Sequence, residues 1–382
     1  MKIFTPDAPE YQSVDTSKLT LVQLDETIHD QKFEGKPVGF LKDAAIRFCR
    51  NKSSLVAFVI IAIMIILAIF GPSFNEYGYN DQYGDNKNLP PKIPGLCELG
   101  IFDGSRWLTN RREDTLSDTN KYPEGCILKT RPAGVVKGIQ MVDVKVDYYL
   151  YKQIEPGTYY WMGSDYLGRD MWTRLWKGSR ISLIIAFVST FCNVCIGLVY
   201  GSISGYYGGW VDMILMRITE IINAIPQIVI VTLFMLFFGA GLTSIIFALL
   251  IQNWIGTARM IRTQFYRFKG YEYVLAARTL GVKDFALIFK HILPNSIGPI
   301  ITRAMIAIPS AIFTESFLAY LGLGVQAPDT SIGILLSDGQ KVLMQYPYQV
   351  WFPAIVISVL MIAFNQLANG LRDAFDPTQR GA

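Results

Sequence analysis

The sequence predicts an all-α integral membrane protein of six transmembrane helices, with a small extracytoplasmic insert that carries some β structure. Three observations lead there. Of 382 residues, 51% are hydrophobic and only 17% charged, and the mean hydropathy of +0.29 is high for a water-soluble chain. Several apolar runs reach the roughly 20 residues needed to cross a bilayer. After the first of these runs, residues 73–160 turn abruptly to Asn, Asp, Tyr, Gly, Pro and Lys. The formal net charge of +4 is mild, and the basic residues gather beside spans, so no nucleic-acid partner is expected. Two histidines and five scattered cysteines leave no expected metal site or Cys/His nucleophile. No Ser/Lys, Asp/Asp or His/Glu constellation marks a membrane enzyme, so no catalytic residue is assigned.

Residues 1–52 read as a cytoplasmic tail ending in an interfacial helix, where Lys42, Arg47, Arg50 and Lys52 mix with Phe40, Leu41, Ile46 and Phe48. The tail lacks an apolar core, so no cleavable signal peptide is expected. Residues 53–72 form the first span, nearly unbroken until Gly71-Pro72, and its basic entry side is expected in the cytoplasm. Residues 73–160 are the insert. Within it Val142-Asp143-Val144-Lys145-Val146-Asp147-Tyr148-Tyr149 alternates and reads as a half-buried strand. Cys97 and Cys126 both lie there, outside the reducing cytoplasm, which leaves a disulfide between them as the expectation. Cys49, Cys192 and Cys195 lie at or within the membrane and read as packing residues.

Residues 161–382 hold five further spans. Residues 161–175 mix aromatics with charges and are expected to lie in the outer interface. Arg169, Arg174, Lys177 and Arg180 on that side run against the positive-inside tendency, which weakens beside long translocated domains. The second span, 181–204, leads into a stripe of Gly197, Gly201, Gly205 and Gly209, one every fourth residue. That stripe is a bare groove for another helix. The third span, 214–238, is softened by Pro226. The fourth, 242–258, is followed by Arg259, Arg262, Arg267 and Lys269, a cytoplasmic mark. The fifth, 296–323, contains Arg303 and Glu315, which are costly in lipid and expected to face a cavity or partner helix. A polar outer loop over 328–348 precedes the sixth span, 350–367. Arg372 and Asp376-Pro377 close a short tail, and six spans put both termini in the cytoplasm.

Residues 270–295 interrupt this apolar pattern. Helix formers run from Tyr273 to Leu280, and Gly281 offers the positive φ that ends a helix. Asp284 is placed to cap a second short helix, on which Phe285, Ile288, Phe289 and Ile292 recur at helical spacing. Pro294 ends it. The result is a helix–turn–helix knob with small Ala276 and Ala277 open to close approach. One groove-bearing face and two costly charges also call for a covering partner.

The run Glu272-Tyr273-Val274-Leu275-Ala276-Ala277-Arg278-Thr279-Leu280-Gly281, continuing to Ile292-Leu293-Pro294-Asn295, resembles the EAA loop of ABC importer permeases. That loop plugs into a groove on the ATP-binding subunit. Leu275 stands where the family name expects Glu, and His291 where Ile is commonest. Docking therefore carries over without any contact through that carboxylate. Gly163-Ser164-Asp165 with Gly168-Arg169-Asp170 resembles the signature of the dipeptide, oligopeptide and nickel branch, with Ser164 in place of Thr. Gly205-Tyr206, Gly208-Gly209, Met216-Arg217, Pro226 and the run from Glu315 to Gln326 add further matches, with Glu220 replacing a common Asp. The resemblance covers residue 40 to the C-terminus, and 73–158 is the main part lacking a motif.

The resemblance implies a type I ABC importer permease fold and a transmembrane subunit that moves oligopeptides or dipeptides. Coupling would fall to Tyr273, Ala276, Ala277, Arg278, Leu280, Gly281, His291 and Pro294. No Gly-x-x-x-x-Gly-Lys-Ser/Thr loop occurs, so no cofactor is expected on this chain. ATP and Mg belong to two separate ATPase subunits. The other implied partners are a second, similar permease, an extracytoplasmic peptide-binding protein and lipid, in a bacterial inner membrane. Nickel is the alternative cargo; the spans offer Glu315 but no histidine, which tilts toward peptides. Arg303 could attract a peptide carboxylate, snorkel, or pair with the partner permease. A sensor that reads the insert is the alternative of another class, weakened by the absence of a large output domain.

Overall fold

The computed structural model describes residues 40–375. The expected N-terminal tail up to residue 39 and the tail from residue 376 lie outside the described residues. The chain divides into the units Met1–Asp43 and Ala44–Ala382, and the second holds every element below except the first four residues of α1. Helix α1 is Phe40–Arg50. Asn51 then caps α2 (Lys52–Phe70) by accepting from the Ser54 amide at 3.3 Å. The helix ends as expected, where Gly71 and Pro72 open a 3₁₀ turn. Gly71 is needed there because a Cβ would lie 2.8 Å from the Trp176 ring.

The insert is built on a three-stranded antiparallel sheet in the order β1-β3-β2, from β1 (Ser105–Arg112), β2 (Ile127–Val136) and β3 (Ile139–Asp147). The alternating run is the central strand, with Val142, Val144 and Val146 buried against Leu89, Leu108 and Tyr160. Lys137 and Gly138, both at positive φ, make the tight hairpin from β2. Strand β2 gave no sequence signal because nearly all of it is exposed and Pro132 and Gly134 interrupt it. The last two residues of the run instead enter a single turn, α3 (Tyr148–Tyr151), capped by Asp147.

The expected Cys97–Cys126 disulfide is not formed, and all five cysteines are free. Cys126 is wholly buried in the insert core, its Sγ donating to the Asp147 carbonyl at 3.7 Å. Cys97 sits on a half-exposed 3₁₀ turn, Cys97–Leu99. Burial also pushes the Cys126 thiol up to about 11, so little reactive thiolate exists there.

Helix α4 (Met171–Tyr207) begins ten residues earlier than the expected span, because Asp170 caps it by accepting from the Thr173 amide at 2.7 Å. The expected interfacial segment is therefore a loop followed by the first five residues of α4, about one and a half turns. At 37 residues α4 is about 55 Å long, well beyond the ~30 Å of hydrocarbon. The third span is broken rather than softened: α5 (Gly209–Asn223) and α6 (Gln227–Phe238) meet at 75°. Pro226 has no amide to continue the helix, and the Gln252 side chain takes up the freed Ile222 and Ile225 carbonyls at 2.9 and 2.5 Å.

Helices α7 (Leu242–Gln252) and α8 (Trp254–Phe268) run as one span that extends ten residues past the expected end. Next come α9 (Glu272–Thr279) and α10 (Asp284–Ala286), which passes through a π turn (Leu287–Ile292) and a 3₁₀ turn (Leu293–Ser296) into α11 (Ile297–Tyr320). Two expectations fail at this junction. Asp284 starts α10 rather than capping it, and Pro294 does not end the helix. The π turn absorbs the proline: the Leu293 amide reaches back to the Ile288 carbonyl, so the missing Pro294 amide falls where bonding is already shifted. The expected polar outer loop contains α12 (Ile332–Lys341), capped by Ser331 and seated by the buried Ile332 and Leu335. Helix α13 (Tyr348–Phe375) closes the described chain. Among the described residues five helices can cross a membrane, or six if α5 and α6 count as one span.

Candidate functional site

The knob is a two-faced structure. Its inner face sets Val274, Ala277, Leu287, Ile288 and Ile292 against Ile261 and Phe265 of α8, Tyr206 of α4 and Ile300 of α11. Gly281 turns the chain at φ +79°, and the Val282 amide bonds back to the Ala277 carbonyl at 3.2 Å. The outer face leaves Leu280 84% and Phe285 73% exposed, beside Tyr271, Tyr273 and Leu275. Large apolar side chains left bare in this way mark an interaction surface. Ala276 and Arg278 are also exposed, but Ala277 is buried, so only one of the two alanines is open to a partner. Phe285 leaves the packing face that its spacing suggested. His291 is half-buried and Pro294 exposed; the Asn295 amide bridges the His291 carbonyl at 2.7 Å and the Tyr273 hydroxyl at 3.2 Å.

A polar cluster ties this knob to the bundle. Asp212, at the start of α5, accepts from Ser204 of α4 and from the Arg262 and Tyr266 side chains of α8, Arg262 Nε at 2.5 Å and Tyr266 at 2.9 Å. Lys269 donates to the Gly205 carbonyl at 3.0 Å. The next residue, Tyr206, donates its hydroxyl to Asp284 of the knob at 2.5 Å, and Arg278 lies 5.4 Å from its ring centre. Sequence reasoning missed this wiring, although Tyr206 stood in a motif.

The glycine stripe explains why α4 and α8 lie so close. A Cβ would lie 2.8 Å from Thr257 at Gly197, 2.4 Å from the Ala258 carbonyl at Gly201 and 2.6 Å from Phe265 at Gly205. Gly209 does not belong with them. It opens α5 at φ +54° with empty space beyond. The groove is filled by the chain's own α8, so it does not call for a covering partner.

The opposite end of α4 carries a sealed latch. Asp165 accepts from Arg169 Nε at 2.7 Å, from the Arg174 guanidinium and from the Leu167 and Arg169 amides at 2.8 and 2.9 Å. Gly168 presses so close to Tyr83 that a Cβ would lie 1.9 Å from its carbonyl oxygen. Arg180 donates to the last carbonyls of α2, Ala68 at 2.9 Å and Ile69 at 2.6 Å, where the helix end is negative. Three of the four cations that strained the expected topology are thus held by a carboxylate or a helix end. Lys177 faces the Tyr79 ring at 4.8 Å.

Arg303 and Glu315 are not brought together. They lie twelve residues, or about 18 Å, apart along α11. Glu315 is fully buried and accepts from Ser182 at 2.9 Å, while Ser182 accepts from the Ile332 amide at 3.3 Å, joining α4, α11 and α12. Arg303 instead lines a cavity of about 150 Å³ with Thr190 and Asn193 of α4 and Asn253 and Thr257 at the α7–α8 junction. Asn193 was missed; the signal was an amide half-way along an apolar span.

Two family descriptions match this chain. Residues 197–381 match the binding-protein-dependent transport system inner membrane component, and residues 39–91 match the N-terminal TM domain of oligopeptide transport permease C. The chain is 37% identical over 350 residues to the oligopeptide transport system permease protein OppC of Bacillus subtilis (strain 168), covering 92% of this chain and 93% of that one. It is 36% identical over 363 residues to the dipeptide transport system permease protein DppC of Lactococcus lactis subsp. cremoris, covering 94% and 96%. A solved structure of the MetNI methionine ABC transporter in an inward-facing conformation is similar at 19% identity and a TM-score of 0.45, over 53% of this chain and 96% of that one.

Proposed function

The chain belongs to the binding-protein-dependent transport system inner membrane components, among their oligopeptide and dipeptide permeases, and from that premise we propose that it is the membrane-spanning subunit of an ATP-driven peptide importer. The observation that carries the coupling half of this reading is the bare Leu280 and Phe285 surface on a knob wired to α4 and α8. A pair of ATPases, which bind ATP and Mg, grips that surface from the cytoplasm. Their closure moves the knob, and its inner face carries α8 and the end of α4 with it. The break between α5 and α6 supplies a hinge about which a second permease and this one rock between two states. A binding protein delivers the peptide on the insert side. This chain moves cargo without forming or breaking a covalent bond.

The test is uptake in cells lacking the gene, with the gene restored, using labelled di-, tri- and longer peptides and nickel ion in parallel. Peptide uptake should return. Gly281→Val should cut it at least tenfold with the protein still in the membrane, because a β-branched residue does not take φ +79°. Gly281→Asn, which tolerates that conformation, should keep most of it. Restored nickel flux without peptide flux would overturn the cargo, and no restored flux at all would overturn the importer reading.

A further inference from the structure

We propose that the cavity around Arg303 binds the C-terminal end of the transported peptide, its carboxylate on Arg303 and its last main-chain amide on Asn193. The inference rests on the peptide-importer reading above. Three observations carry it.

The first is an unpaired cation. No ion pair among the described residues involves Arg303, an exposed side chain on α11, a helix long and apolar enough to cross a membrane, where an unpaired charge is costly. The backbone makes room for it: a Cβ on Gly256 would lie 2.6 Å from Arg303 Nη2. A planar fork of donors that opens on the cavity matches a carboxylate in two parallel bonds.

The second is an unpaired acceptor in the same cavity. Asn193 is only 6% exposed, yet its side-chain oxygen has no hydrogen-bond partner. Buried acceptors are nearly always satisfied, and an exception calls for a missing donor. A peptide has such a donor, an N–H one residue from its terminal carboxylate.

The third is size. About 150 Å³ is well short of the roughly 300–1,000 Å³ of a pocket that encloses a small molecule. The cavity therefore takes one end of an extended chain rather than the whole of it. Thr190, Thr257 and Asn253 line the remaining wall with groups that both donate and accept. Every peptide presents the same terminal carboxylate and amide whatever its side chains, so a site of this kind accepts many sequences.

The experiment uses the complete importer in liposomes, with its partner permease, ATPases and binding protein. It compares a labelled tripeptide as the free acid with the same tripeptide amidated at its C-terminus. The wild type should carry the free acid at least tenfold faster at saturation. Arg303→Gln should bring the two rates to within about twofold of each other, mainly by slowing the free acid, and Arg303→Lys should restore part of the preference. The binding protein is common to every arm, so a changed ratio belongs to the permease. Asn193→Leu should slow both peptides and leave the ratio in place.

An unchanged ratio in Arg303→Gln overturns the site while leaving the importer intact. Equal loss of both peptides overturns it too, since that is the result expected if Arg303 pairs with a carboxylate of the partner permease. A wild-type importer that carries neither peptide overturns the peptide reading and this site together. If Arg303→Gln does not assemble, the wild-type complex without binding protein decides. Bound fluorescent tripeptide should be displaced at least tenfold better by the free acid than by the amide, and equal displacement overturns the site.

Discussion

Each end of α4 is held by an aspartate gripping arginine, but the two grips are built in opposite ways. At the insert end, Asp165 and Arg174 both keep 4% of their side-chain surface, and Arg169 keeps 6%. At the knob end Arg262 keeps 33%, and one phenol hydroxyl, that of Tyr206, joins α4 to the knob. A fully desolvated pair keeps its attraction only while every partner is in place; losing one strands a charge in a dry site. A partly wet pair can exchange a partner for water at modest cost. The first arrangement suits an anchor and the second a joint. A helix that must transmit motion needs one of each.

The largest expected effect would break this comparison outright if it failed. Asp165→Ala leaves two buried arginines sharing no carboxylate, which should cost about 3–5 kcal/mol and remove most of the protein from the membrane. Asp212→Ala leaves an arginine already a third in water, and should cost about 1–3 kcal/mol. Thermal unfolding of both variants in detergent, with the level in the membrane as a second reading, checks the order. Equal losses would mean that burial does not separate anchor from joint.

Asp170, the cap of α4 at the dry end, gives the second test. Burial pushes its carboxyl up to about 6, even though the Thr173 amide and hydroxyl both donate to one of its oxygens. In the unfolded chain the group releases its proton near the ordinary 3.8. Between those two values the folded state binds more protons, so stability falls as pH rises from about 4 to 6 and levels off above. The span of that fall is about 2–3 kcal/mol. Asp170→Asn keeps a capping side chain and should flatten the profile, raising stability at pH 7 relative to the wild type. A parallel pH profile in the variant would show that this end is wetter than it looks.

Much of this architecture was legible, and the parts that were not share a cause. Apolar runs reported the spans because burial in lipid is a property of composition, and β3 reported itself because one face of it is buried. Strand β2 stayed hidden because it has no buried face to leave a period. Helix ends were misjudged where a single side chain or an irregular turn decides them: Gln252 on the broken end of α5, Asp170 before α4, the π turn around Pro294. At the candidate site the knob, its Gly281 turn and the Gly197–Gly201–Gly205 stripe were visible, because each depends on local residue type. What covers the stripe, which alanine faces out and what Tyr206 touches were not, because each depends on a segment far along the chain.

The smallest expected effect concerns that last contact, and it separates a joint from an anchor better than any loss of stability. Tyr206→Phe keeps the ring that Arg278 and Ile288 pack against and removes only the hydroxyl that donates to Asp284. Asp284 is exposed, so water replaces the lost donor and the stability cost should be about 1 kcal/mol or less. If the hydroxyl were merely one more structural bond, uptake would follow that small change. If it carries motion from the knob to α4, peptide carried per ATP hydrolysed should fall about two- to fivefold while hydrolysis itself holds. Measuring both rates in one reconstituted importer gives the ratio directly. A ratio equal to the wild type's would confine the mechanical path to the buried contacts of α8, and the knob end of α4 would then be a second anchor.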